Sequence, residues 1–413
     1  MQCGRHPHPS RERRRAGSIR NATLIAIACS ITIRADAANP AEKLAHIRSL
    51  RTQGNIGAAD RELTRFLNAH PEHVAARLLR GEMLADRGRW DEAAAVLGDL
   101  PGEILGYPLY HVRARVAFER GLPEAARRDL QQALRIRPGH AVDLELLART
   151  HARCARWALA IESYQRAADA GLDTAELHLG LARAYLNRRI LLGEITVMRL
   201  AGAEPGTLVD GGYVLEPAAG DDHVFRVCPP ASAIYHLVAA RIRGATGPTI
   251  DVLEADIWLE AGFYNRARTL YAKAETDRSD AQAAEFYERY ARACLRIGHV
   301  DQGLRLLRTA VRLDPEACRS VLVDAHLEVS RHASIDGDFK LALYHLRQAV
   351  ASNPDSPELH RRLGDAYARQ RDHVRANEHW HKVLLLDPDH ADRAALLEKI
   401  RRSANGGRNS DEP

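Results

Sequence analysis

Small and large apolar residues recur along the chain, mostly with a period of 33 or 34 residues. One alanine in each period is followed four residues later by a large apolar residue, so both lie on one face of a helix. The alanines are Ala59, Ala93, Ala126, Ala160, Ala267, Ala342 and Ala376, and their partners are Leu63, Leu97, Leu130, Tyr164, Tyr271, Leu346 and Trp380. A small residue at a fixed period of this length predicts an array of stacked helix pairs.

Turn residues mark the limits of each predicted pair. Nine units result, with first residues at Pro40, Val74, Tyr107, Ala141, Ala175, Pro248, Ala284, Val323 and Pro357. Position 15 of six units is glycine, which predicts a tight turn with positive φ between the two helices: Gly54, Gly88, Gly121, Gly262, Gly298 and Gly337. Position 32 of several units is proline, which ends the second helix: Pro71, Pro138, Pro315, Pro354 and Pro388.

The last unit carries the most complete pattern. It contains His360-x2-Leu363-Gly364-x2-Tyr367, then Ala376-x3-Trp380, and ends at Pro388. This closely resembles the tetratricopeptide repeat, with His360 in place of the leading tryptophan. The resemblance covers roughly residues 40–202 and 248–388. It implies an all-α fold, a right-handed superhelix (an α-α solenoid) of helix-turn-helix repeats, in which the first helix of each repeat lines a concave groove.

The pattern divides the chain into segments. The fifth unit departs from the family, because Glu194 replaces the small residue and Arg189 replaces the turn glycine. We expect a signal peptide, an array of about five repeats, an irregular insertion, an array of about four repeats, a capping helix and a disordered tail. Their predicted ranges are 1–37, 38–202, 203–247, 248–388, 389–402 and 403–413.

The insertion is rich in glycine and proline. Residues 208–215 predict a short hairpin, 223–227 a further strand, and 231–243 one amphipathic helix. Inserted segments of repeat proteins often carry binding specificity. A decayed repeat with a loop that has no function is the alternative.

Charge and export signals are concentrated at the start of the chain. The whole chain has a formal net charge of +5, and residues 1–37 hold seven arginines and two acidic residues, so the remainder is neutral. Overall charge therefore predicts no nucleic-acid partner. A basic segment, the short apolar run 22–33 and Ala35-Asp36-Ala37 predict a secretory signal peptide cleaved after Ala37. Lipoprotein anchoring at Cys29 fits less well, and a disordered basic tail is the other alternative.

No catalytic motif is present. The chain lacks HExxH, G-x-S-x-G, a P-loop and G-x-G-x-x-G. The histidine groups at 70–73 and 373–381 and the trio 221–223 fit solvated turns and helix faces better than metal sites. We therefore predict no enzyme activity, no catalytic residue, no metal and no cofactor. Four cysteines after the leader, Cys154, Cys228, Cys294 and Cys318, are scattered, and their pairing stays open.

Arginine recurs at position 9 of the first helix, which faces the groove in the family. The groove-binding candidates are Arg48, Arg115, Arg149, Arg183, Arg292 and Arg331. Guanidinium groups in a row provide forked donors for carboxylates or other anions. Pairing within one helix is the alternative, because Glu145 and Glu288 lie four residues before Arg149 and Arg292.

These observations predict a periplasmic or secreted scaffold without enzyme activity. We expect it to hold an acidic peptide or helix of a protein partner in its groove and to contact membranes only through that partner. The alternative is a subunit of an envelope polysaccharide synthesis or export complex that contacts an anionic polymer. The sequence does not reveal the partner or the oligomeric state.

Overall fold

The computed structural model describes residues 39–218, 223–276 and 283–406. Within these residues the chain forms two compact units, one ending at Gly171 and one beginning at Leu172. The predicted signal peptide with Cys29, the acidic pair Asp221 and Asp222, and residues 407–413 of the predicted tail lie outside the described residues.

The first unit consists of helix pairs with one short extra helix. The pairs are α1 with α2, α3 with α4, α6 with α7 and α8 with α9, and the four-residue α5 lies between the second and third pairs. The bounds are α1 Pro40–Thr52, α2 Ile56–Ala69, α3 Val74–Asp86, α4 Trp90–Gly98, α5 Gly102–Leu105, α6 Tyr107–Glu119, α7 Pro123–Ile136, α8 Ala141–Arg153 and α9 Trp157–Asp169.

The second unit contains further helix pairs and a small antiparallel sheet. Its pairs are α10 with α11, α12 with α13, α14 with α15, α16 with α17 and α18 with α19, followed by α20. The bounds are α10 Ala175–Asn187, β1 Thr196–Arg199, β2 Leu208–Val209, β3 Gly212–Pro217, β4 Val224–Cys228, α11 Ala233–Ile242, α12 Pro248–Glu260, α13 Tyr264–Thr276, α14 Ala284–Arg296, α15 Val300–Leu313, α16 Pro315–Ile335, α17 Phe339–Ser352, α18 Pro357–Arg369, α19 His373–Leu386 and α20 Arg393–Gly406. The fold is therefore all-α with a small β insertion, as predicted.

Eight of the nine predicted unit starts coincide with the first residue of a helix. The exception is Val323, which lies inside α16, because that helix already begins at Pro315. Proline is favoured in the first turn of a helix, and Asp314 caps the helix by accepting a hydrogen bond from the Ala317 amide at 3.0 Å. Pro315 therefore begins a helix here as well as ending the one before it.

The turn after each first helix adopts the left-handed conformation in all nine repeats. The six predicted glycines have φ between 71° and 84°. The same position holds Ala155, Arg189 and Arg371 in the other three repeats, with φ of 53°, 58° and 62°. The turn geometry of the repeat therefore persists where the sequence does not supply glycine, at a conformational cost to the L-residues.

Small residues allow the two helices of a pair to touch. All seven alanines of the periodic column are buried, and six of them have no exposed surface. Gly364 on α18 faces Trp380 on α19, and a Cβ atom at Gly364 would lie 2.7 Å from the indole ring. A similar crowding at Gly303 involves Leu295, at 2.6 Å. Close packing of this kind makes the helix pair intolerant of added volume.

The fifth repeat is split by the sheet. Its first helix, α10, packs against α11, and the sheet lies between them in sequence. The amides of Ala233 and Ile234 donate to the carbonyls of Ile190 and Leu191 at 3.0 and 3.2 Å. We predicted that the insertion begins at residue 203, whereas the chain leaves the helical pattern soon after α10 and already forms β1. The second helix of the repeat is thus supplied after the insertion.

The inserted sheet has the strand order β1-β4-β3-β2, and all neighbours are antiparallel. Leu208 pairs with Tyr213 across the tight turn of the predicted hairpin, and β4 matches the further predicted strand. Val214, Phe225 and Val227 are buried beneath the sheet and form its own apolar cluster. The hairpin, the strand and α11 confirm the elements predicted inside the insertion, whereas β1 was not predicted.

The chain end is more helical than predicted. Helix α20 runs from Arg393 to Gly406 and packs against α19, with Leu396 buried. Residues 403–406, which were assigned to a disordered tail, belong to this helix. None of the helices in the described ranges is long and apolar enough to cross a membrane.

Candidate binding groove

A groove in the second unit is lined by α14, α15 and α16. It encloses about 780 Å³. Its apolar lining consists of Leu295, Val300, Leu307, Val321, Ala325 and Val329. Its charged or titratable lining consists of Glu288, Arg292, Arg296, Asp324, Glu328 and His332. We call this surface the α14–α16 groove. An apolar floor with a rim of both charge signs suits an amphipathic segment.

Two of the six candidate arginines belong to this part of the chain. Arg292 lines the α14–α16 groove and pairs with Glu260 of the preceding repeat, with an N–O distance of 2.6 Å. Arg331 pairs with Glu328 of its own helix at 2.6 Å. The structure therefore gives Arg292 an ion pair between repeats, in place of the pair with Glu288 that the helical spacing suggested.

The other candidate arginines have varied surroundings. Arg115 pairs with Asp86 of the preceding repeat at 2.8 Å, and the guanidinium of Arg149 lies 4.7 Å from the centre of the Phe118 ring. Arg48 and Arg183 are exposed, and the described part of the chain offers them no ion pair. The column thus combines arginines held by the protein with arginines open to solvent, and its binding role stays a prediction.

A second cleft lies where the inserted sheet meets α12 and α13. It encloses about 510 Å³ and is lined on one side by Tyr213 and Leu215 of β3. On the other side lie Trp258 and Arg266, whose guanidinium is 4.8 Å from the centre of the indole ring. The insertion therefore shapes a surface of its own, and its role in specificity stays a prediction.

Three histidine pairs occupy equivalent positions in different repeats. In each pair one histidine lies on the first helix and one on the second, with their Nδ1 atoms 2.9 to 3.0 Å apart. The pairs are His178 with His236, His326 with His345, and His360 with His379. Burial and the charge of a partner histidine lower the pKa of His236 to about 3 and that of His326 to about 4. Each pair joins the first and second helices of its repeat.

One further cluster combines two histidines with a carboxylate. His111 on α6 and His140 and Asp143 at the start of α8 present ligand atoms that all lie within 4.8 Å of one another. The sequence search for metal motifs missed it, because His111 lies in a different repeat from the other two. The available signal was His140-x2-Asp143 at a helix start, together with a histidine on the preceding first helix.

Comparison with known families identifies the class of protein that this architecture defines. Tetratricopeptide repeat models match residues 44–100 and 145–206, and a second tetratricopeptide repeat model matches residues 334–400. Together with stacked helix pairs in both units, these matches assign the class of helical-repeat proteins. The chain is a tetratricopeptide repeat protein. No curated protein matches the chain.

Several solved structures resemble this chain at low identity. A tetratricopeptide repeat protein from Parabacteroides merdae is 14% identical, with 68% of this chain and 97% of that chain covered and a TM-score of 0.41. PilF of Pseudomonas aeruginosa is 16% identical, with 60% and 94% covered and a TM-score of 0.40. The C-terminal part of a repeat protein from Cytophaga hutchinsonii is 14% identical, with 78% and 99% covered and a TM-score of 0.40. Similarity at this level says nothing about what this chain binds.

Proposed function

We propose that this protein is an interaction scaffold of the cell envelope without enzyme activity of its own, and that it holds an amphipathic peptide or helix of a protein partner in the α14–α16 groove. Tetratricopeptide repeat proteins generally mediate protein–protein interactions, and the fold is generally a scaffold rather than a catalyst. The observation that carries the proposal is the groove itself, with its apolar floor and a rim of both charge signs.

The size of the groove suits a ligand that is held by side chains packed against the groove floor. Its volume of about 780 Å³ lies within the range of about 300–1,000 Å³ that is usual for binding pockets. Val321 and Val329 lie on α16 two turns apart and are partly exposed within the groove. A partner helix could place apolar residues at intervals of three and four against this floor, as helix-in-groove complexes do.

The charges on the rim favour a protein segment over a polyanion. Arg292 on the rim is already paired with Glu260, and Glu328 on the rim is paired with Arg331. A polymer of one charge sign would have to displace these carboxylates, which would remain beside it as like charges. A peptide with both signs can instead meet Arg296 and Asp324 together. Acidic side chains of the same peptide can face Arg296 on this rim.

The location in the envelope rests on the predicted signal peptide at residues 1–37. Its basic start, short apolar run and small residues before Ala38 are the supporting features. Mass spectrometry of the native protein tests the proposal directly. We expect a mature chain that begins at Ala38, and an intact Met1 in the cytoplasmic fraction would remove the proposed compartment.

Photo-crosslinking tests the groove. A photoreactive amino acid at Val329 should capture a partner in the native cells, whereas the same residue at Val374 should not, because Val374 is 72% exposed on α19 and lies outside the groove lining. The captured protein is then purified and titrated with the scaffold. We expect Val321→Asp with Val329→Asp to abolish its binding while Val374→Asp preserves it. Equal affinity for both variants would place the binding site elsewhere.

A further inference from the structure

A buried carboxylate without full compensation lies at the junction of the third and fourth repeats. Asp143, in the first turn of α8, has no exposed surface. Its Oδ1 atom lies 2.6 Å from Nδ1 of His111 on α6. Its Oδ2 atom is buried and has no hydrogen-bond partner. Burying an ionised carboxylate is costly unless its oxygens are hydrogen-bonded or coordinate a cation.

The second histidine makes this oxygen harder to satisfy by hydrogen bonds alone. His140 caps α8, and its Nδ1 atom accepts a hydrogen bond from the backbone amide of Asp143 at 3.3 Å. A nitrogen that accepts this bond has no proton to give to Oδ2 of Asp143, which lies 3.2 Å away, and a cation bound there would replace the long amide hydrogen bond. Two electron-rich atoms face each other, and a cation between them would remove the repulsion.

Tyr107 and Arg137 complete the surroundings of the cluster. Tyr107 lies beside both histidines, with its ring centre 5.6 Å from that of His111 and 5.4 Å from that of His140. Arg137 lies over the Tyr107 ring, with its guanidinium carbon 4.1 Å from the ring centre.

We propose that His111, His140 and Asp143 bind a divalent transition-metal ion, with Zn²⁺ as the ion best suited to the site. Two imidazole nitrogens and one carboxylate oxygen form a donor set that zinc accepts, whereas Mg²⁺ and Ca²⁺ prefer oxygen ligands. The ligand atoms already lie within 4.8 Å of one another. Small side-chain rotations would bring them to metal-ligand distances of about 2.0–2.2 Å.

The position of the site gives the ion a structural role. His111 belongs to the third repeat, whereas His140 and Asp143 belong to the fourth, so one ion would join two consecutive helix pairs of the first unit. Both histidine side chains are about one-third exposed or less, at 27% and 32%, which leaves a path from solvent. With three protein ligands, a fourth position remains for water or a partner's side chain.

The chain contains its own control for this geometry. His73 caps α3 just as His140 caps α8, with its Nδ1 accepting from the Ala76 amide at 3.3 Å. At the repeat positions of Asp143 and His111 this copy has Ala76 and Leu44, both buried. His73 thus performs the capping role without a carboxylate or a second imidazole.

Calorimetric titration of the full chain with ZnCl₂ tests the proposal, using protein purified without a polyhistidine tag. We expect one high-affinity Zn²⁺ per chain, a rise in melting temperature on Zn²⁺ addition, and no competition from Mg²⁺. His140→Asn retains a capping side chain, and Asp143→Asn retains its shape, so both should fold. Each should weaken Zn²⁺ binding at least about tenfold, whereas His73→Asn should bind as the wild type does.

Cobalt provides the second readout. Co²⁺ bound by two imidazoles and a carboxylate in a four-coordinate site absorbs visible light much more strongly than the octahedral aqueous ion does. We expect this absorption in the wild type and in His73→Asn, and its loss in His111→Gln. Equal Zn²⁺ affinity in the wild type and Asp143→Asn, or no Zn²⁺ binding by the wild type, would overturn the proposal.

Discussion

Gly364 and Trp380 are in direct contact across the last helix pair, and the contact leaves no space for a side chain at position 364. A Cβ atom there would lie 2.7 Å from two atoms of the indole ring and 3.2 Å from the Ala376 carbonyl oxygen. Trp380 is itself almost fully buried, at 3% exposure. The ring therefore cannot move away without disturbing the core between α18, α19 and α20.

We expect Gly364→Ala to lower the free energy of unfolding by about 1–3 kcal/mol through overpacking. Gly57→Ala on α2 is the control, because its Cβ atom would meet only the flexible end of Arg61 at 3.7 Å. That change should stabilise by about 0.5–1 kcal/mol, since alanine is the better helix former. Urea unfolding of the two variants measures both effects, and a stabilising Gly364→Ala would contradict the packing described.

The left-handed turn predicts effects of opposite sign at two equivalent positions. Gly121 has φ of 73° and no atom within 4 Å of its Cβ position, so Gly121→Ala tests backbone strain alone. We expect it to destabilise by about 1 kcal/mol. Ala155 occupies the same turn of the next repeat with φ of 53°. Ala155→Gly should relieve this strain, but glycine also loses more conformational entropy on folding. The two effects partly cancel, so we expect stability to stay unchanged or to rise by up to about 1 kcal/mol. Thermal melts showing equal losses would refute the prediction.

The pair of His178 and His236 predicts a loss of stability in acid. Burial, His178 and Arg243 lower the pKa of His236 to about 3, whereas an unfolded histidine titrates near 6.5. The folded state therefore binds fewer protons between these values. The stability that this histidine contributes is fully present above pH 6.5. It falls as the pH drops from 6.5 towards 3, by about 1.4 kcal/mol for each pH unit.

Replacing His236 isolates this contribution. His236→Phe keeps an aromatic ring beside Tyr185, whose ring centre lies 5.5 Å away with an interplanar angle of 12°. We expect a shallower decline of stability between pH 6.5 and 4 than in the wild type. His381→Phe removes an exposed imidazole and serves as the control. Identical pH profiles for the wild type and His236→Phe would rule out this histidine as the cause.

The ion pairs of Arg241 should contribute more to the free energy of unfolding than a more exposed ion pair of the second unit. Its guanidinium pairs with Asp251 at 2.6 Å and Glu254 at 2.7 Å, and the Asp251 side chain is only 5% exposed. We expect Arg241→Gln to destabilise by about 1–3 kcal/mol, less than for a fully buried pair because Lys273 still contacts Asp251 at 2.9 Å.

The matched change is Arg226→Gln on the inserted sheet. Arg226 pairs with Glu216, but both side chains are well exposed, at 43% and 35%. Such a pair contributes only about 0–1 kcal/mol. Chemical denaturation of both variants gives the comparison, and a larger loss for Arg226→Gln would show that burial does not govern these two pairs.

The repeat pattern predicted most helices because it is local. Eight unit starts, the turn conformation and the hairpin around Gly212 follow from spacing and from residue types suited to turns. The sequence did not predict the split fifth repeat, because the partner of α10 lies beyond the sheet. It also did not predict the length of α16, since Pro315 is compatible both with ending one helix and with starting the next.

The candidate site residues were harder to predict because their contacts join different repeats. Arg292 pairs with Glu260, which lies 32 residues earlier, although an acidic residue lies one helical turn away. His111 contacts Asp143, which is also 32 residues distant. The two members of each pair are thus about one repeat period apart in sequence. A search within single helices overlooks such pairs, whereas aligning successive repeats reveals them.

The backbone bonds that join Ala233 and Ile234 to Ile190 and Leu191 have an evolutionary consequence. The chain leaves the helix pair and returns to it at adjacent backbone atoms. The segment between these points can therefore vary in length while α10 and α11 stay paired, provided that the contacts of the sheet with α11 and of Tyr213 with Trp258 are replaced. The sheet is thus an insertion that a different segment could replace. New recognition elements could be introduced at this junction while the helix pair of α10 and α11 is retained.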